Sequence, residues 1–237
     1  MDTRPIGVFD SGFGGLSVLA EATRLLPQED FIYFGDNRNA PYGDKTQQEV
    51  LGHIHTVVER LIEENCQAIL IACNTATSVA AGELRQELQL PIIGMEPALK
   101  PASLLPGDGV VLVMATAMTL RLEKFKRLME QYGQNAIPVP CSGLVEYVES
   151  GEVDSPRVRA LLTRLLEPYM RKPVKAVVMG CTHYVYLRRT LSQMLPPSII
   201  LMDGNVGTVL QHVHQRAHLD CFRSRTKDQH DFLHVST

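Results

Sequence analysis

The chain has 237 residues, 45% of them hydrophobic, and a formal net charge of −3. That length allows one large domain or two small ones with a sizeable core, and the charge argues against nucleic acid as a partner, because phosphate binding wants a basic surface. No basic, apolar leader opens the chain and no apolar run approaches the ~20 residues needed to cross a bilayer, so no membrane partner is expected and the expected location is cytoplasmic.

Strand-like and helix-like runs alternate from the start. IGVFD (6–10) is a short apolar strand closed by Ser-Gly, and LSVLAEATRLL (16–26) has apolar residues at helical spacing. FIYFGD (31–36) is a strand, and TQQEVLGHIHTVVERLIEEN (46–65) a long amphipathic helix. AILIAC (68–73), TSVAAGELRQEL (77–88) and PIIGM (91–95) then read as strand, helix and strand. The second half does the same. VVLVMAT (110–116), AIPVPC (136–141), AVVMGC (176–181) and SIILMD (198–203) are strands; 120–133, 155–170 and 186–195 are helices, with Ser155-Pro156 a good helix start. VGTVLQHVHQRAHL (206–219) looks helical, 223–231 is polar, and FLHVST is a short last strand. Such alternation predicts an α/β fold built on parallel sheets.

The halves also match each other. Asp10 and Thr116, Cys73 and Cys181, and Pro91 and Pro197 are separated by nearly one offset, which points to an internal duplication with GDG (107–109) as the joint. The expected organisation is two pseudo-symmetric lobes, 1–96 and 97–205, each a parallel sheet flanked by helices with the active site in the cleft between them. Residues 206–237 are expected to form a terminal helix and strand that return to the first lobe.

In open parallel sheets, ligands bind beyond the carboxyl ends of the strands. Those ends carry Asp10-Ser11, Asp36, Cys73-Asn74-Thr75, Glu96, Thr116, Cys141, Cys181-Thr182-His183 and Asp203. They stand near helix starts, whose free N–H groups suit a carboxylate ligand and are expected to lower a thiol's pKa. The five cysteines, an odd number, read as reduced thiols. Cys66 and Cys221 read as small buried hydrophobes. Cys73 and Cys181 differ, because each ends an equivalent strand. If the halves are related by a pseudo-twofold axis, one thiol stands on each side of the cleft. That suits a symmetric reaction, in which a proton leaves one face of a carbon and another is delivered to the opposite face, as in racemisation at the Cα of an amino acid.

With GVFDSGFGGLSVL, YFGDNRNAPYG, ACNTAT and GCTHY in order over both halves, the chain resembles the cofactor-independent aspartate/glutamate racemase superfamily, and within it the glutamate racemases. The resemblance implies L-to-D interconversion of glutamate without cofactor or metal, supplying D-glutamate for peptidoglycan, in a homodimer. It implies that Cys73 and Cys181 are the two acid/base groups, with Cys73 acting on D-glutamate and Cys181 on L-glutamate. Asp10 and His183 would assist the thiols, with Glu149 as an acidic helper. Asp10, Ser11, Tyr42, Gly43, Asn74, Thr75, Thr116, Thr119, Thr182 and His183 would hold the substrate. The chain departs from the family where ATAMT (115–119) puts Met118 in place of a usual glycine, where Ser142 and Glu146 replace prolines, and where Val185 follows GCTHY.

Other readings of the same residues are an aspartate racemase, a cysteine hydrolase using Cys181, His183 and Asp10, which leaves Cys73 without a role, and a non-catalytic amino-acid binder. Zinc held by Cys73, Cys181 and His183 lacks the usual paired spacing. DSGFGGLS lacks the GK[ST] ending of a phosphate loop. His53-Ile54-His55 and the later histidines His212, His214 and His218 read as solvated helix faces, and Glu96 and Lys100 read equally as cleft groups or loop polarity.

Overall fold

The computed structural model describes residues 3–213. Two four-stranded parallel sheets form it. The first joins β1 (Ile6–Asp10), β2 (Phe31–Gly35), β3 (Ala68–Ile71) and β4 (Ile92–Gly94) in the order β2-β1-β3-β4. The second joins β5 (Val110–Ala115), β6 (Ala136–Pro140), β7 (Val174–Met179) and β8 (Ile200–Met202) in the order β6-β5-β7-β8. Position for position the orders are the same, as an internal duplication requires. In each sheet the chain steps outward once and then crosses back past its first strand. The switch point therefore lies between β1 and β3, and between β5 and β7, where such sheets bind ligands.

Strand alternation assigns the two faces. In β3, Ile69 and Ile71 point to one apolar cluster, with α2 (Gln47–Glu63) and α3 (Asn74–Glu87); Ala68 and Leu70 point to another, with α1 (Leu16–Leu25). In the second lobe, β5 and β7 do the same. Leu112, Met114, Val177 and Met179 face α7 (Leu144–Glu149), α8 (Pro156–Leu166) and α9 (Arg188–Met194). Val111, Val113, Ala176 and Val178 face α4 (Leu99–Ser103) and α6 (Glu123–Tyr132). A further short helix, α5 (Ala117–Arg121), follows β5.

Several local signals act as expected. Thr46 and Glu49 form a reciprocal capping box at the start of α2, and Ser155 caps α8 with Pro156 in its first turn. Other boundaries shift. α3 begins at Asn74 rather than at residue 77, which makes Cys73 its cap. The expected helix over 186–195 is a 3-10 turn, Thr182–Leu187, followed by α9. α4 and α7 were not anticipated; each is a turn or two long, too short for periodicity to register.

The chain crosses between lobes earlier than GDG. Met95 packs in the first lobe's core, and Ala98 and Leu99 already pack in the second's. Gly107 and Gly109, with φ of 87° and 134°, make the turn into β5. A second crossing runs back. After Asp203, held by Arg188, the Asn205 amide donates to Ser17 Oγ at 3.1 Å, and residues 205–213 are helical. Val209 lies fully buried in the cluster of Ile6, Val8, Val18 and Leu70. The crossings touch, since a Cβ on Gly204 would stand 2.7 Å from the Glu96 carbonyl oxygen.

His212 corrects the expectation of a solvated face: it is 4% exposed, one turn after Val209 on the inward side of that helix. His214, His218, Cys221 and the last strand lie outside the described residues. Val209→Ala should lower the unfolding free energy by roughly 1–3 kcal/mol in urea titration, the cost of removing buried methyl groups. A change near zero would mean that this helix does not complete the first lobe's core.

Candidate active site

The carboxyl ends of both sheets face one another, and the side chains there are buried although most are polar. Asp10 ends β1 with no exposed surface. Its Oδ1 accepts from Gly12 N at 2.9 Å, and its Oδ2 accepts from Thr182 Oγ1 of the other lobe at 3.0 Å. Burial raises its pKa, against the opposing effects of His183, Gly12, Thr182 and Gly15. Two glycines let the following loop come this close. A Cβ on Gly12 would lie 2.0 Å from Glu149 Oε1, and one on Gly14 would lie 2.6 Å from His183 Nδ1.

Cys73 is 5% exposed. Its thiol donates to Ser11 Oγ at 3.4 Å, and its sulfur accepts from Ala76 N at 3.4 Å, inside the first turn of α3. The helix start was expected to lower this thiol's pKa. The structure shows the reverse: burial first, and then Asp10, push it up to about 12, outweighing the hydrogen bonds that favour the thiolate. Cys181, 8% exposed, precedes a 3-10 turn rather than an α-helix and receives no capping hydrogen bond. Its sulfur lies 3.8 Å from His183 Nδ1. A charge on Cys181 also raises the Cys73 pKa, so the two thiols sense one another.

His183 links this thiol to Glu149. Its Nε2 is 2.5 Å from Glu149 Oε1. Burial opposes charge on the imidazole, but Cys181, Glu149 and Asp10 outweigh it and push the pKa up to about 10. Partial burial likewise opposes ionisation of Glu149. Hydrogen bonds from His183, from Phe13 N at 3.2 Å and from Asn37 Nδ2 at 3.4 Å outweigh it and hold the carboxyl below its usual range. Glu149 stands on α7 of the second lobe, whereas Phe13 and Asn37 belong to the first.

Three hydroxyls meet across the cleft. Thr75 Oγ1 is 3.1 Å from Thr116 Oγ1 and 3.0 Å from Thr119 Oγ1, which are 2.9 Å from each other. Thr116 also caps α5 by accepting from Thr119 N. Asn74 donates to Met95 Sδ at 3.2 Å, while its Oδ1 is buried with no hydrogen-bond partner among the described residues. Tyr42 is buried with its hydroxyl donating to Asp36 Oδ2 at 2.7 Å, and Gly43 abuts Thr116. Beside them a gap of about 10 Å³, lined by Pro41, Thr116 and Cys141 among others, has room for one water.

All thirteen residues anticipated from the sequence therefore meet in this one region. Glu96 and Lys100 do not: Glu96 pairs with Lys124 at 2.9 Å, and Lys100 lies over the Tyr132 ring. The expected surface pair His53 and His55 is half-buried. His53 stacks on Tyr42, and His55 lies on the α2–α3 surface with Glu83 and Glu87, ligand atoms within 4.8 Å of one another. Sequence reasoning missed Asn37, Phe13, Tyr33 and Tyr186. Tyr33 donates to the Gly12 carbonyl at 2.6 Å, and Phe13 lies edge-on to His183 and Tyr186. Tyr33 and Asn37 sit inside the recognisable YFGDNRNAPYG run and Phe13 inside GVFDSGFGGLSVL, whereas Tyr186 lies outside the motifs.

The charged pair gives stability a pH signature. Glu149 is depressed, so its contribution is complete above the ordinary carboxylate range and is lost as pH falls through its folded value. His183 is raised, so its contribution is complete below the ordinary 6.5 and is lost as pH rises toward about 10. Between about pH 7 and 8.5, before unfolded thiols ionise, the unfolding free energy should fall by about 1 kcal/mol per pH unit, and His183→Asn should flatten the slope. A flat wild-type profile in denaturant titrations would mean that the folded imidazole is neutral.

A family model described as Asp/Glu/Hydantoin racemase matches residues 11–209. The chain is 48% identical over 208 residues to a glutamate racemase of Clostridium perfringens, covering 86% of this chain and 80% of that one. Among solved structures, it is similar to Escherichia coli glutamate racemase in complex with L-glutamate and the activator UDP-MurNAc-ala (TM-score 0.81, 32% identity, 89% and 81% of the two chains). It is also similar to glutamate racemase from Francisella tularensis in complex with D-glutamate (TM-score 0.80, 29% identity, 93% and 83%).

Proposed function

We propose, from the premise that this chain belongs to the Asp/Glu/Hydantoin racemase family, that it interconverts L- and D-glutamate by a two-thiol mechanism in the cleft between its lobes. The observation that carries this reading is the equivalence of Cys73 and Cys181. Each follows the third strand of its half, and the two sheets share one strand order.

Cys181 removes the Cα proton of L-glutamate, and Cys73 delivers a proton to the opposite face; the roles reverse for D-glutamate. Support comes from the unequal surroundings of the two thiols. Cys73, pushed up to about 12, is held protonated, which is the state the donor needs when Cys181 acts on L-glutamate. Cys181 has an imidazole 3.8 Å away that can take its proton, anchored in turn by Glu149. The Cα proton is very weakly acidic, so charge developing on the substrate must meet fixed donors. The hydroxyls of Thr75, Thr116 and Thr119 and the N–H groups of Ser11 and of the Tyr42–Gly43 turn can supply them, whereas Thr182 Oγ1 and Gly12 N are held on Asp10. Asp10 and the free Asn74 Oδ1 are acceptors suited to the α-ammonium group. D-Glutamate so made would serve peptidoglycan synthesis, and a homodimer is the expected assembly.

The test follows both products at once. Purified protein is incubated in heavy water with each enantiomer of glutamate and of aspartate, and optical activity is read beside deuterium at Cα. Racemisation of glutamate with deuterium incorporation is expected, and Cys73→Ser and Cys181→Ser should each lower kcat by about 10²–10⁴-fold. A variant that retains near-wild-type turnover in both directions would sink the two-thiol scheme; turnover of aspartate alone would overturn the substrate.

A further inference from the structure

Below the polar site the two lobes exchange apolar side chains. Met118, on α5 of the second lobe, is 5% exposed and belongs to the core cluster of the first lobe, with Phe9, Tyr42, Cys73, Ala76 and Ala80. Leu122, just after α5, packs against the same cluster. In return, Phe13 of the first lobe packs against the core of the second. The five residues of α5 lie against α3 and the Tyr42–Asp44 turn of the first lobe as well as against α6 and β6 of their own, so this helix belongs by sequence to one lobe and packs on both.

The same short helix carries the substrate hydroxyls. Thr116 caps it and Thr119 sits within it, and both bond to Thr75 across the cleft. Met118 stands between them in sequence, in ATAMT (115–119). Moving the lobes apart would draw this side chain out of an apolar core and into water. A residue so placed resists opening and fixes where two of the three hydroxyls stand.

We propose that Met118 is a positioning residue that sets the affinity for the amino acid, its side chain anchoring α5 in the opposite lobe so that Thr116 and Thr119 are held at Thr75. The inference rests on the racemase reading above. It assigns Met118 no contact with the reacting atoms. Loss of the anchor lowers the fraction of molecules in the binding-competent arrangement, and the apparent dissociation constant rises as the inverse of that fraction. The thiols, on other elements, keep their chemistry.

Steady-state kinetics of three variants in the full-length protein test this. Met118→Ala should raise KM for both enantiomers by about 10-fold or more while kcat stays within about 3-fold. Met118→Leu, which conserves volume, should return KM to within about 3-fold of wild type. Val57→Ala is the control for simple core damage. Val57 lies in the same cluster but makes no bridge between lobes, so its midpoint of thermal unfolding should drop with KM unchanged. The proposal is overturned if Met118→Ala leaves KM at the wild-type value, if it lowers kcat alone, or if Val57→Ala raises KM as much. Failure of the racemase reading is distinguishable, because then the wild-type protein itself would not racemise glutamate.

Discussion

The site is organised around one buried carboxylate. Asp10 has no exposed surface, and a charge there is tolerable only if donors meet it and a cation stands near. Gly12 N, Thr182 Oγ1 and the His183 imidazole fill those roles, two of them from the opposite lobe. Its field reaches several of the titratable groups around it: it raises Cys73, Tyr33 and Tyr186 and supports charge on His183. Satisfying Asp10 therefore requires the lobes to meet, and where they meet the two thiols stand near one another.

This arrangement breaks the symmetry that the duplication establishes. Strand order and thiol position repeat, but the surroundings do not. Cys73 caps a full α-helix beside a serine and the buried carboxylate, whereas Cys181 precedes a 3-10 turn beside a histidine tied to a glutamate. A racemase must handle two mirror-image substrates of equal free energy with a chiral protein, so unequal flanks are expected even where the thiols match. Glu149 extends the asymmetry: it reaches across to the Phe13 amide and Asn37, so an element of the second lobe orients a loop of the first.

Much of this was legible from the residues, because the informative signals are local. Short continuous apolar runs closed by Asp, Cys or Thr located the strand ends, and the repeat at one offset located the two thiols. The thiol pKa was not legible. A helix start acts through neighbours in sequence, but desolvation depends on what the other lobe covers, and for Cys73 burial wins. The same limit explains His212, whose helix is polar enough to look solvated until Val209 fixes which side packs inward. It also explains why the packing of Met118 and Phe13 was not foreseen: their partners lie in the other half of the chain.

The return of the chain after β8 has a consequence for the order of synthesis. The first lobe's sheet is complete once residue 94 has left the ribosome, yet the residue that closes the cluster of Ile6, Val8, Val18 and Leu70 is Val209. The lobe translated first is thus the lobe finished last. For as long as it takes to make more than a hundred further residues, that apolar face has to wait without its cover. The second lobe, continuous from α4 to β8, meets no such delay.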